Sequence, residues 1–248
     1  MAGHSHSANI ARRKGAVDAK RGKVFSKLAR AIISAARQGG GDPDANLKLR
    51  YAVDKAKAAN VPKDTIERAI ARGSGSKDSD AFEEVVYEGY APGGVALMVA
   101  CLTDNRHRTS PDVKHIFDKV GGNLGAPGSV AFMFTLRSVI ALESGGRDED
   151  HWTEVALELG ADDVEVDAET VVLYGAATAF PALKAAVDKL AGVKLVSAEL
   201  AYVPQNRIPV ADREDARKIL KLIETLEDND DVQNIYANYD MPAEWLAE

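Results

Sequence analysis

The sign of the charge along this chain reverses at a single point. Residues 1–77 hold 17 Lys+Arg against 6 Asp+Glu, a net +11, and the remainder holds 14 against 32, a net −18. Even dispersal of charge would not produce opposite signs on the two sides of one position. At the reversal lies GSGSKDSD, Gly73 to Asp80, a stretch of linker composition. The chain therefore reads as a basic N-terminal domain tethered to an acidic body. Asymmetry of this kind points to a polyanionic partner for the basic part. The acidic body would repel the same polyanion and so orient the encounter.

Other bulk properties narrow the class. With 248 residues, 46% hydrophobic and 28% charged, the chain is long enough for two or three globular cores. No apolar run approaches the roughly 18 residues of a membrane span, so no membrane association is expected. The N-terminus, MAGHSHSANIARRKG, lacks the apolar centre of a secretory signal, although its basic, acid-free character has some likeness to a mitochondrial presequence. The single cysteine, Cys101, excludes an internal disulfide and fits a reducing, cytoplasmic location.

The basic part has helical periodicity. Val24, Leu28, Ala31, Ile32 and Ala35 share one face from Lys20 to Arg37, while Lys20, Lys23, Lys27, Arg30 and Arg37 cluster opposite. Gly39 to Gly41 should stop this helix. Asp42 is then expected to cap a second helix, with Pro43 at its first position, running to about Ala59. Pro62 opens a third, PKDTIERAIARG, with Gly73 as its stop. A solvated helix surface would mix its signs through i,i+4 pairs, yet no acid occurs from Ala19 to Gln38. That absence favours nucleic acid, DNA or ribosomal RNA, as the partner. Only Phe25 and Tyr51 are aromatic here, so phosphate contacts rather than base stacking should dominate.

In the acidic body, FEEVVYEGY and GVALMVACLT read as a hairpin turning at Ala91 to Gly94. A helix capped by Ser110, with Pro111 at its first position, should follow and end at Gly121. GSVAFMF reads as a strand. Ser138 to Val203 then gives β-α-β-β-α-β, the ferredoxin-like order. Its pieces are a strand at Ser138 to Leu142, a helix at Asp150 to Leu159, the hairpin VEVDAETVVLY, a helix at Ala179 to Ala191 and the strand VKLVSAELAYV. A helix from Ala211 to Leu226 and the strand VQNIYANY are assigned to the earlier ββαβ piece. The expected class is α+β: a helical bundle over 1–77, a discontinuous middle α/β domain over 81–134 plus 205–248, and an inserted ferredoxin-like domain over 135–204.

Evidence for chemistry is thin. DPDAN, Asp42 to Asn46, lacks the glycine and glutamate that a calcium loop requires. GGNLGAPGS, Gly121 to Ser129, lacks the GK[ST] of a phosphate loop, and GNLG matches an RNA-clamping loop in four letters only. Helix stop and turn explains it better. No histidine pair has zinc spacing and no nucleophile motif occurs, and Cys101 reads as a buried small hydrophobe. No metal, cofactor, small-molecule substrate or enzymatic activity is expected. One segment of the body does stand apart: TDNRHRTSPD places Arg106, His107 and Arg108 as a basic island on a strand-to-helix loop, either a second binding loop or partners of nearby acids.

Three long motifs carry a family resemblance. The N-terminal run RKGAVDAKRGKVFSKLAR with AARQGGGDPDAN and VPKDTIERAIARG, then YEGYAPGGVAL with CLTDNRHRT, and then GGNLGAPGSVAFMF closely resemble the YebC/PmpR family. The likeness is dense from Met1 to Phe134 and thinner beyond. It implies a helical bundle followed by two α/β domains, no catalytic activity, and Met1 as the mature start. It also implies a role in gene expression, either as a DNA-binding transcriptional regulator or, as for mitochondrial relatives that activate translation, at the ribosome on rRNA or tRNA. The chain departs from the frequent GHSKWANIKHRK pattern at His6, Ser7, Ala11 and Arg12, and Ala71 replaces a frequent lysine. TLRSVI also replaces a glycine-containing basic turn after MF. The expected phosphate ligands are Lys20, Lys23, Lys27, Arg30 and Arg37, with Arg12, Arg13 and Lys14 as an arm and Lys48, Lys63, Arg68 and Arg72 as secondary contacts.

Overall fold

The computed structural model describes residues 21–75 and 82–246. Among the described residues three helices come first: α1 (Arg21–Gly39), α2 (Leu47–Ala58) and α3 (Lys63–Ser74). Leu28, Ile32, Ala35, Leu49, Val53, Ala56, Ile66 and Ala69 form their shared core. The second helix starts later than its sequence implies. Asn46, not Asp42, is the cap: its Oδ1 accepts the Leu49 N–H at 3.1 Å. Its Nδ2 donates to the carbonyls of Ala35 and Gly40, both at 2.8 Å, so one buried amide starts α2 and ties down the end of α1. Asp42 instead closes a turn by accepting the Asp44 N–H.

Gly73 does not stop α3 but lies inside it, buried where α3 crosses α1. A Cβ there would sit 2.5 Å from the Ile33 carbonyl oxygen and 2.8 Å from Ala36 Cβ. The residue is glycine because two helix backbones approach that closely. Gly73→Ala is expected to lower thermal unfolding stability by about 1–3 kcal/mol through overpacking, although alanine is the better helix former. An unchanged melting temperature would contradict this.

The first sheet has the order β3-β1-β2-β9, built from β1 (Glu83–Tyr90), β2 (Ala96–Thr103), β3 (Asn123–Leu124) and β9 (Val232–Ala237). All its neighbours are antiparallel, and β9 returns from the end of the chain to pair with β2. Helix α4 (Arg106–Lys119) and helix α7 (Arg213–Glu227) cover one face, with Leu97, Val99, Phe117, Ile219, Leu222 and Leu226 between them. The other face of β2 packs Ala96 and Met98 against Val130 and Phe134, so this strand is buried on both sides.

The second sheet has the order β5-β6-β4-β7, from β4 (Phe134–Glu143), β5 (Asp163–Val166), β6 (Thr170–Ala176) and β7 (Leu195–Pro204). Every pair is antiparallel, which is the ferredoxin-like arrangement. Helices α5 (Glu149–Leu159) and α6 (Phe180–Val187) cover one face around Trp152, Phe180 and Leu183. Tyr202 of β7 meets Tyr236 of β9 edge-on at 5.4 Å and joins the two sheets. Short strands β8 (Ile208–Pro209) and β10 (Tyr239–Asp240) pair in parallel, and α8 (Ala243–Leu246) ends the described chain. Fold class and insertion are thus α+β, with the later unit set inside the middle one.

Three local differences from the sequence reading have physical causes. Helix α4 begins at Arg106 because Asn105, not Ser110, caps it by accepting the Arg108 N–H; Pro111 sits within the helix. GSVAFMF is not a strand: a carboxylate, described below, gathers its N–H groups into a loop and a 3-10 turn before β4 starts at Phe134. Helix α6 ends at Val187 rather than Ala191. Beyond it the bonds tighten to i→i+3, from Lys189 to Ala186 and from Leu190 to Val187.

Candidate nucleic-acid interface

Helix α7 ends with no basic residue in its last turn, followed by Asp228, Asp230 and Asp231. The carbonyl end of a helix is its negative pole, so carboxylates gathered there are unfavourable without cations. The cations come from α1, about 200 residues earlier. Lys27 Nζ donates to the Glu227 carbonyl at 2.6 Å, and Lys23 Nζ to the Asp228 carbonyl at 3.1 Å. Arg30 donates to the Asp230 carbonyl and to Asp231 Oδ1, both at 2.9 Å, with its guanidinium 5.9 Å from the centre of the Phe82 ring. Burial lowers the Lys27 pKa, against the opposing pull of Glu227 and Asp230.

Asp231 anchors this contact. Its side chain is only 6% exposed. Oδ2 accepts from Thr109 Oγ1 at 2.7 Å and from Arg108 at 2.9 Å, and Oδ1 accepts from Arg30. Burial alone would raise its pKa, but the Arg108 and Thr109 hydrogen bonds and the Arg30 charge outweigh it and hold the carboxyl below its ordinary value. The TDNRHRT segment folds around this group. Thr103 Oγ1 accepts the Asn105 N–H, and Arg108 also pairs with Asp104 at 2.9 Å. The basic island is therefore the first turn of α4 rather than a loop. Arg108 is engaged with two acids, and Arg106 and His107 lie exposed beside it.

Further ties join the helical unit to the sheets. Lys48 pairs with Glu84 and donates to Gln38, and Lys55 pairs with Glu199 of β7 at 2.8 Å. Tyr51 packs edge-on against Phe180 at 4.8 Å. Part of the opposite charge of the two halves is thus satisfied within the molecule. On the outer side of α3, Lys63, Arg68 and Arg72 are exposed; Lys63 lies 3.6 Å from Glu67, and Arg68 donates to the Asp64 carbonyl. Arg37 is half-buried. Arg12, Arg13, Lys14 and Lys20 lie outside the described residues.

A second buried carboxylate organises the loop between β3 and β4. Glu88 Oε1 accepts the Gly128 N–H at 2.7 Å, and Oε2 accepts those of Val130 and Ala131 at 2.8 Å. Burial raises its pKa, but these three donors prevail and set it below the usual carboxylate value. The glycine-rich motif is a carboxylate-pinned loop that leaves Phe132 68% exposed. Sequence reading did not single out Asn46, Glu88 or Asp231. Glu88 carried one usable signal, an acid in the apolar half of a strand. Cys101 is buried in β2, and burial, followed by the nearby Asp231 charge, pushes its thiol up to about 12. Among the described residues no His, Cys, Asp or Glu cluster has metal-holding geometry, and no helix is long and apolar enough to cross a membrane.

A helical unit followed by two α/β units is the architecture of a known family. Residues 5–76 match the TACO1/YebC protein N-terminal domain, and residues 82–239 match the TACO1/YebC second and third domain. The chain belongs to the TACO1/YebC family. A protein of Photorhabdus laumondii is 51% identical over 248 residues, covering 100% of this chain and 99% of its own length. One of Dictyoglomus turgidum is 49% identical over 247 residues, covering 99% and 98%. Both are named as probable transcriptional regulatory proteins. The crystal structure of a conserved hypothetical protein from Aquifex aeolicus superposes with a TM-score of 0.84 at 45% identity, covering 91% of this chain and 93% of that one.

Proposed function

We propose that this chain is a non-enzymatic regulator of gene expression that binds nucleic acid through its N-terminal helical unit, with duplex DNA as the first partner. The boundaries proposed for its three units are those read from the sequence, 1–77, 81–134 with 205–248, and 135–204. The observation that carries the reading is the charge of the small helical unit: residues 21–75 alone contain 12 Lys+Arg against 5 Asp+Glu. Lys63, Arg68 and Arg72 offer phosphate contacts on the outside of α3, and the arm of Arg12, Arg13 and Lys14 with Lys20 adds to them. Lys23, Lys27, Arg30 and Lys48 complete the set when their present oxygen partners are exchanged for phosphates, together with the half-buried Arg37. Contacts of this type give affinity and salt dependence rather than base choice.

One observation favours a second reading, a ribosome-associated factor on rRNA or tRNA. Helix α1 turns its basic face to α7 and α2 packs Tyr51 on Phe180, so neither of these engaged faces is open to read base edges in a major groove. Recognition by shape and backbone suits A-form RNA. In that reading Arg106 and His107 supply a second contact.

Reversing three charges, Lys63→Glu with Arg68→Glu and Arg72→Glu, tests the common part. Affinity for a random-sequence duplex should fall at least about tenfold at low salt, as expected on losing several phosphate contacts. Circular dichroism should stay unchanged. Unaltered affinity would remove α3 from the interface. Sedimentation of the wild-type protein with ribosomes at moderate salt, without comparable retention on duplex DNA, would favour the RNA reading.

A further inference from the structure

We infer that the acidic turn 227–231 is an intramolecular competitor of nucleic acid: it occupies the Lys23-Lys27-Arg30 face of α1, and a polyanion must displace it to use that face. The inference rests on the nucleic-acid reading above and adds a regulated step to it.

The contact has the chemistry of a phosphate mimic. Positions 23, 27 and 30 lie on one helical face at i, i+4 and i+7. Each of the three cations meets oxygen in the turn: the carbonyls of Asp228, Glu227 and Asp230, and the carboxylate of Asp231. Backbone carbonyls at a helix C-terminus carry partial negative charge, and Glu227, Asp228 and Asp230 add full charges beside them. A phosphate backbone offers the same thing, a row of anionic oxygens. Lys27 and Arg30 cannot serve both partners, because the Arg30 side chain is only 28% exposed and Lys27 is half-buried.

The contact is also polar enough to exchange. Its bonds are ionic or charge-assisted, and at the rim, away from the buried Asp231, the Lys23–Asp228 carboxylate separation is 3.8 Å with both side chains over a third exposed. Such a pair is readily screened and contributes little to stability. Affinity for a ligand that needs the open face is reduced by the fraction of molecules in which that face is open. Neutralising the turn should therefore tighten nucleic-acid binding, the reverse of what mutating a supporting structural contact would do.

Two measurements on the full chain test this. Glu227→Gln/Asp228→Asn/Asp230→Asn is compared with Glu149→Gln/Glu154→Gln/Glu158→Gln, which removes the same charge from the exposed face of α5. The first variant should bind a random-sequence duplex of about 30 base pairs, or a ribosomal RNA hairpin, roughly five- to tenfold more tightly than the second. Equal affinities would overturn the competitor role while leaving the proposed function standing. In the second measurement, Lys23→Cys/Asp228→Cys is bridged with a short bis-maleimide, Cys101 being buried. The bridged protein should bind at least about fivefold more weakly than the same protein capped with N-ethylmaleimide. Equal binding of bridged and capped forms would overturn the inference. Failure of every form, wild type included, to bind either nucleic acid would instead overturn the functional reading on which it rests.

Discussion

Replacing Glu88 with alanine is expected to cost about 3–5 kcal/mol of unfolding free energy, the largest effect of any substitution considered. Three N–H groups, of Gly128, Val130 and Ala131, point at this one carboxylate. Each buried donor left without an acceptor costs about 1–3 kcal/mol, partly recovered where water can enter. Glu88→Gln retains an acceptor oxygen and should cost less than half as much. The group also sets a pH dependence of definite sign. Its folded pKa lies below its unfolded value, so its stabilisation is complete above about pH 4.5 and is lost as the pH falls through the depressed folded value. Acid denaturation followed by circular dichroism should show a shallower decline in Glu88→Gln than in the wild type. Equal slopes would remove Glu88 from the account.

Asp231→Ala is expected to cost about 2–4 kcal/mol and to do so across two units at once. The carboxylate ties Arg30 of α1 to Arg108 and Thr109 of α4. Its removal leaves Arg30, largely buried, without its charged partner, and breaking a buried pair from one side is the costly case. The cost stays below the roughly 5 kcal/mol of a fully buried pair broken from one side, because Arg108 is half exposed and can regain water. Hydrogen exchange should speed up both at the start of α4 and along the middle of α1. Faster exchange confined to α4 would mean that Asp231 does not hold the helical unit in place. Asp231 has the same pH sign as Glu88: its carboxyl is depressed by Arg108, Thr109 and Arg30 against the effect of burial, so its contribution too is lost on acidification.

Local pattern and global pairing differed in how far the sequence revealed them. Apolar spacing in α1 located Leu28, Ile32 and Ala35 correctly in a helical core, because a 3.6-residue period is written within one turn or two. The β-α-β-β-α-β order of the later unit followed from the alternation of elements, and the strand order β5-β6-β4-β7 agrees with it. Caps were less legible. Asp42 and Asn46, or Asn105 and Ser110, are all good capping types, and tertiary contacts chose between them; Asn46 won because its amide also reaches the carbonyls of Ala35 and Gly40.

Least legible was where α1's basic face points. An acid-free basic helix and a helix ending in acids without a basic residue are each visible in the sequence. Their contact joins Arg30 to Asp231, 201 positions apart, and nothing local encodes that pairing. The same limit applies to TDNRHRT, whose Arg108 is ion-paired to a residue more than a hundred positions away. Charge asymmetry separates a basic stretch from an acidic one, but it could not reveal how much of that charge the two stretches satisfy in each other.

The central claim is that phosphates bind the N-terminal helical unit, and its most direct test is the salt dependence of binding. The dissociation constant of the full chain for a random-sequence duplex, and for a ribosomal RNA hairpin, would be measured across a potassium chloride series. Four to six phosphate contacts predict that the logarithm of affinity falls with the logarithm of salt at a slope of about −3 to −5. The Lys63→Glu/Arg68→Glu/Arg72→Glu variant should show a slope shallower by about 2 to 3. Absence of binding to either nucleic acid at low salt, or binding that does not respond to salt, would contradict the account.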